Sequence, residues 1–191
     1  MTKYTIRKSA LAKRRAMTPE AVAKKSAQIC TQFIRHFSLA DIQAIHIFLP
    51  ITHQNEVNTF LLIAKIRDTH PHIQIIVPKI IKGTNEMQAI AITKDCEMIK
   101  NEWGIPEPIH QQLFNPQNID LIIIPLLAFD LKGHRIGYGR GFYDKFLEAC
   151  QPTVLKIGLS FDDPIEDILA IESHDKPLDY VVCPEHVYQL T

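Results

Sequence analysis

Three glycines alternate with larger residues at Gly137, Tyr138, Gly139, Arg140 and Gly141, and Phe142, Tyr143 and Asp144 follow at once. Glycine lets a backbone approach a ligand closely and turn its N–H groups toward it. A helix starting behind such a turn adds the positive end of its dipole. Arg135 and Arg140 bring fixed charge, and a guanidinium grips phosphate oxygens with two parallel N–H groups. Phosphate binding is the chemistry these residues suit. A tight bend with no ligand would use the same glycines. The chain has no GxxxxGK[ST] and no strand–GxGxxG–helix fingerprint with a distant acid, which sets aside a P-loop and a Rossmann dinucleotide site.

Two aspartates come next. Asp144 closes the turn, and Asp179 precedes the apolar run from Tyr180 to Cys183. Brought together, two carboxylates would hold Mg²⁺ along with nucleotide oxygens. Kept apart, Asp144 caps a helix start and Asp179 is a surface acid, which spacing alone favours for Asp179. Cations gather at the other end of the chain. Lys3, Arg7, Lys8, Lys13, Arg14, Arg15, Lys24 and Lys25 face only Glu20 in the first 25 residues. Lys3, Arg7 and Arg14 stand at i, i+4 and i+11 and share one helical face. A polyanionic ligand would account for that face, and so would plain solvation.

Ligands of open α/β sheets sit beyond the carboxyl ends of strands, so a strand must lead into the glycine turn. Asp120 to Pro125 is a continuous apolar run of the kind expected for a central parallel strand covered on both faces. Further strands are predicted at 44–49, ending at Pro50, at 73–77, closed by Pro78, and at 154–159 and 180–183, with a weaker one at 87–92. Helices are predicted at 3–16, from Thr18 to about Phe37, at 57–67 and at 142–150. Thr18 is the N-cap of the second and Pro19 its first helical residue. Residues 100–118 hold three prolines and read as irregular. The alternation predicts an α/β fold: a single three-layer domain over residues 1–191, with a mainly parallel central sheet and an N-terminal helical arm.

Lys plus Arg equals Asp plus Glu at 21 each, which argues against a surface built for nucleic acid or anionic lipid. Cys30, Cys96, Cys150 and Cys183 are far apart and form no CxxC pair, so reduced thiols are expected. His70 and His72 flank Pro71 and read as solvent-facing loop residues. No apolar stretch resembles a signal segment or a membrane span, and a cytoplasmic protein without a membrane partner is the expectation.

The run 137–144, after Phe129, Asp130 and Gly133 to Arg135, closely resembles the 5-formyltetrahydrofolate cyclo-ligase (methenyltetrahydrofolate synthetase) family. Five more segments match in order: Lys3 with Arg7, Arg15 to Glu20, Phe48 to Pro50 with Asn55 to Thr59, Trp103 to Pro108, and His174 and Asp175 with Leu178 to Val181. The resemblance implies ATP-dependent cyclisation of 5-formyltetrahydrofolate to 5,10-methenyltetrahydrofolate, with ADP and phosphate released and Mg²⁺ as cofactor. Lys3 and Arg7 would contact ATP phosphates. Arg135 and the turn Gly137, Tyr138, Gly139, Arg140, Gly141, Phe142 and Tyr143 would hold the triphosphate. Arg140, beside the transferred phosphoryl group, and Tyr143 would be the catalytic pair.

Tyr138 through Phe142 would also touch the folate, and Glu56 would hydrogen-bond the pterin. A first-turn helix acid is a compatible reading of Glu56. Asp144 and Asp179 would be the Mg²⁺ ligands. Three positions depart from the family pattern: Arg140 where lysine is common, Phe142 where tyrosine is, and Leu126 in place of a glycine. None removes a charge the mechanism needs. The expected partner is the small-molecule substrate alone, met by a monomer.

Three rivals are a nucleic-acid-binding protein stacking bases on Tyr138, Phe142 and Tyr143, another ATP-using kinase or ligase on the same scaffold, and a silent homologue. The retained charges argue against the last.

Overall fold

Thr2 and Thr18 start the first two helices by the same device. Each hydroxyl accepts the N–H three residues on, from Thr5 and Ala21. α1 spans Lys3–Arg15 and α2 spans Pro19–His36, with Pro19 in the first turn as expected. The computed structural model describes residues 2–102, 104–109, 112–168 and 175–190. Trp103 and His174, two of the residues that carry the family resemblance, lie outside them.

The remaining elements follow in order: β1 (Ala44–Ile47), α3 (Phe60–Thr69), β2 (Gln74–Ile80), β3 (Met87–Ile92), β4 (Met98–Lys100), β5 (Pro106–Pro108), β6 (Gln112–Leu113), β7 (Leu121–Pro125), β8 (Ala128–Phe129), β9 (Arg135–Ile136), α4 (Phe142–Glu148), β10 (Leu155–Leu159), β11 (Tyr180–Val182) and β12 (Val187–Gln189). The main sheet has the order β12-β11-β10-β7-β1-β2-β3-β6. β11, β10, β7, β1 and β2 run parallel, and antiparallel pairings close both edges.

β7 shows why its sequence is apolar throughout. Successive side chains of a strand point to opposite faces. Leu121 and Ile123 enter a core shared with Ile29 and Phe33 of α2 and Ile63 and Ile66 of α3. Ile122 and Ile124 enter a second core with Phe146 and Leu147 of α4. Helices thus cover both faces of one mainly parallel sheet, the predicted three-layer α/β class. Leu126, the departure from the family's glycine, packs over bare Gly158, where a Cβ would come 2.5 Å from Leu126 Cδ2. No helix among the described residues is long and apolar enough to cross a membrane.

α1 does not join either layer. It packs on the hairpin β8–β9 and the turn at 52–54, with Ile6 against Ala128, Ile136 and Ile168. That hairpin was not foreseen in the sequence, because two-residue strands carry no readable period. Asp130 organises it: its buried carboxylate accepts the N–H groups of Lys132, His134 and Ile168.

Other expectations need correcting. β2 continues through Pro78 to Ile80, beyond its register with β1, where only β3 pairs with it. Residues 100–118 are not wholly irregular, since β4 pairs with β5 and β6 extends the sheet edge. α3 begins at Phe60 rather than 57, because the preceding residues are held otherwise. Asn55 sits at φ 52°, Asn58 N–H donates to Ser26 Oγ, and Thr59 Oγ1 donates to the Phe48 carbonyl. Glu56 is therefore a loop residue, not a first-turn helix acid.

Candidate active site

A cleft of about 890 Å³ opens where β1 and β7 end, lined by Phe48 and Leu49 on one strand's exit and Pro125 on the other's. Such a position is the expected ligand site of a parallel sheet. The glycine turn forms one wall and α1 closes over it. Gly139 has φ 89°, and the Arg7 guanidinium occupies the space where a Cβ would lie.

The basic face of α1 points into this wall rather than to solvent. Lys3 Nζ pairs with Asp175 at 2.6 Å. Arg7 Nε donates to the Gly137 carbonyl at 2.8 Å. Arg14 donates to the carbonyls of Gln54 and Leu126 and to the Tyr138 hydroxyl. Arg14 was on the predicted face but not among the predicted site residues. Its spacing from Lys3 and Arg7 was the signal.

Glu56 is 5% exposed and lines the cleft. The Ile51 N–H donates to its Oε2, and the Tyr138 hydroxyl donates to its Oε1, both at 2.7 Å. Burial pushes this carboxyl above its usual range, while the Ile51 N–H, the Arg14 charge and the Tyr138 hydroxyl pull the other way. Burial, and then the Glu56 charge, hold Tyr138 well above an ordinary phenol. Tyr143 is raised likewise by burial, and its buried hydroxyl has no partner among the described residues.

Arg135 is held on two sides. Nη2 pairs with Asp144 Oδ1 at 2.6 Å and Nη1 donates to the Lys176 carbonyl. The Lys176 N–H also reaches Asp144 Oδ1, at 3.2 Å. Arg135 therefore anchors the segment after residue 174 to the start of α4. Arg140 stands exposed at the cleft rim, and Phe142 lines the same space.

The sequence matches the 5-formyltetrahydrofolate cyclo-ligase family over residues 1–184. The chain belongs to this family. It is 28% identical to the 5-formyltetrahydrofolate cyclo-ligase of Mus musculus over 180 residues, covering 88% of this chain and 86% of the mouse protein. It is 27% identical to that of Escherichia coli strain K12 over 180 residues, covering 93% of this chain and 97% of the bacterial one. The solved structure of Aquifex aeolicus 5,10-methenyltetrahydrofolate synthetase matches with a TM-score of 0.82 at 27% identity, over all of this chain and 93% of that one. Membership in this family of enzymes supports cyclo-ligase activity in folate metabolism.

Against the cyclo-ligase expectation, the structure gathers Lys3, Arg7, Glu56, Arg135, the turn 137–143 and Asp144 around one cleft. It does not bring Asp179 there. Asp179 lies at the amino end of β11, and its Oδ2 accepts the Lys156 N–H at 2.7 Å and pairs with Lys156 Nζ at 2.8 Å. The cleft is at the opposite, carboxyl ends of the parallel strands, so the expected Asp144–Asp179 pair does not form. Asp175 lines the cleft instead. Among the described residues no cluster of three or more His, Cys, Asp or Glu is built to hold a metal. Mg²⁺ asks for less, since one or two carboxylates suffice beside phosphate oxygens and water. Asp144, with Oδ1 taken by Arg135, and Asp175, with Oδ2 paired to Lys3, are two carboxylates of the cleft that would hold it.

Proposed function

We propose that the chain converts 5-formyltetrahydrofolate and ATP to 5,10-methenyltetrahydrofolate, ADP and phosphate. The observation that supports this is one cleft with two unlike ends. Lys3, Arg7 and the glycine turn make a cationic, backbone-lined end suited to a triphosphate. Glu56, desolvated and oriented by the Ile51 N–H, makes an end suited to the N–H donors of a pterin.

The N5-formyl group is an amide, and its oxygen leaves poorly. In the proposed reaction this oxygen attacks the γ-phosphorus of ATP and the bond to ADP breaks. The activated carbon is then attacked by N10. N10 loses its proton, the carbon–oxygen bond breaks, and phosphate leaves with that oxygen. N10 is tethered near the carbon, so ring closure gains from proximity. No protein nucleophile is needed. The chain positions the reactants and neutralises charge: Arg140 at the transferred phosphoryl group, Lys3 and Arg7 along the phosphates, and Tyr138 to Phe142 against both substrates. Tyr143 forms the floor under the reacting groups. Mg²⁺, when bound by Asp144 and Asp175, supplies further neutralisation of phosphate oxygens.

A nucleic-acid surface on α1 fits less well, because its Lys3, Arg7 and Arg14 face is committed to the cleft wall. The reading takes the enzyme as a cytoplasmic monomer meeting a small substrate. The test is absorbance at the methenyl-folate band when the protein meets 5-formyltetrahydrofolate, ATP and Mg²⁺. A rise requiring all of them is expected. No rise from a folded, ATP-binding protein would mean another substrate on this scaffold.

A further inference from the structure

Arg14 takes no part in the reaction described above, yet its guanidinium is bonded on every side. Nε donates to the Gln54 carbonyl at 2.9 Å and Nη1 to the Leu126 carbonyl at 3.3 Å. These two oxygens come from separate loops and fix the guanidinium plane. Nη2 is thereby aimed at the Tyr138 hydroxyl and stands 3.8 Å from Glu56 Oε1. Tyr138 accepts from Arg14 and donates its own proton to Glu56. The side chains of Arg14 and Glu56 are only 10% and 4% exposed. A chain of cation, phenol and carboxylate in such surroundings is mutually polarised, and its carboxylate is left uncompensated when the cation is removed.

The position of Arg14 in α1 adds a consequence. Lys3 and Arg7 lie in the first two turns of this helix, at the phosphate end of the cleft. Arg14 lies 11 residues beyond Lys3, about 16 Å along the axis at the usual helical rise. One rigid element therefore touches both ends of the site.

We propose that Arg14 is a positioning residue for the folate: through Tyr138 it holds Glu56 in the arrangement that meets the substrate, so the folate end of the cleft depends on the docking of α1. The inference rests on the reading that Glu56 contacts the folate.

Arg14 acts on charge as well as geometry. Glu56 is faced by Arg14 from α1, Tyr138 from the glycine turn, His53 and the Ile51 N–H from the segment before it, and Tyr143 from α4. Burial raises the Glu56 carboxyl, and Arg14 is one of the groups opposing it. A carboxylate that must accept substrate N–H groups loses affinity as pH falls through its titration. Removing Arg14 moves that loss to higher pH.

The experiment is calorimetric binding of 5-formyltetrahydrofolate to the full chain at a series of pH values on both sides of neutrality. Wild type, Arg14→Met, Arg14→Lys, Glu56→Gln and the double variant Arg14→Met/Glu56→Gln are compared, each checked for folding by circular dichroism. Arg14→Met is expected to weaken binding near neutrality roughly tenfold and to move the acid limb up by about one pH unit. Arg14→Lys is expected to fall between, and Arg14→Met is expected to have little further effect once Glu56 is Gln.

An Arg14→Met protein with the wild-type acid limb overturns the inference, whether or not its affinity is lower. If Arg14→Met does not fold, an unshifted limb in Arg14→Lys overturns it equally. Wild-type affinity in Glu56→Gln overturns the assignment of Glu56 itself, and the inference with it. A loss in Glu56→Gln beside an unchanged Arg14→Met overturns the inference alone.

Discussion

The guanidinium of Arg7 fills the space that a side chain on Gly139 would need, because a Cβ there comes within 3.0 Å of Arg7 Cζ and Nη2. Gly139 also has φ 89°, which costs about 1–2 kcal/mol for an L residue. Gly139→Ala is expected to push Arg7 off the turn and raise the KM for ATP roughly tenfold, the loss of one charge-assisted contact. The cores on the sheet faces are untouched, so the variant stays folded. An ATP KM equal to wild type would detach Arg7 from the nucleotide.

Arg140 projects from the same turn and is exposed, so its removal should spare the fold. Arg140→Ala is expected to lower kcat about a thousandfold, the usual scale for losing one group that stabilises charge in the transition state. Single-turnover kinetics with a thermal melt check this. Near-normal turnover in a folded variant would move Arg140 away from the reacting phosphate.

The two aspartates should behave differently. Asp144→Asn is expected to raise the Mg²⁺ concentration that supports half-maximal turnover and to lower kcat. Asp179→Asn is expected to leave the Mg²⁺ dependence alone and to destabilise the protein by about 1 kcal/mol, through weaker bonding to Lys156. Mg²⁺ titrations of both variants decide it, and the reverse pattern would restore Asp179 as the metal ligand.

His46, in β1, has both ring nitrogens buried without a partner among the described residues, and it packs on Phe146 with ring centroids 4.7 Å apart. Burial pushes its pKa down to about 3. The unfolded chain takes up this proton near pH 6.5, so the stability tied to neutral His46 is complete above that pH. It is lost as pH falls from about 6.5 toward about 3, at up to about 1.4 kcal/mol per pH unit. Urea denaturation at a series of pH values should show a shallower acid slope for His46→Phe than for wild type. Equal slopes would place the acid sensitivity elsewhere.

Features with a local physical signature were legible in the sequence. The β7 run is apolar at every position because helices cover both faces of the sheet. Thr18 and Pro19 announce α2 because a cap needs only its own three following residues. The glycine turn and the shared face of Lys3, Arg7 and Arg14 were readable for the same reason. So was the family, whose motifs are ordered along the chain.

Only the tertiary structure decided what each readable face meets. Periodicity shows that α1 has a basic stripe. It does not show that the glycine turn and the loops at Gln54 and Leu126, all remote in sequence, receive it. Of the two compatible readings of Glu56, pterin contact and first-turn helix acid, the second fails because Ser26 and Phe48, distant in sequence, hold its neighbours out of α3. Asp144 and Asp179 are both plausible ligands by type. Strand direction separates them, since parallel β strands put the start of β11 at the amino ends of the strands and the end of β7 at their carboxyl ends. Side-chain chemistry is a property of single residues and survives in the sequence, whereas the meeting of remote segments depends on strand order and direction, which no local pattern encodes.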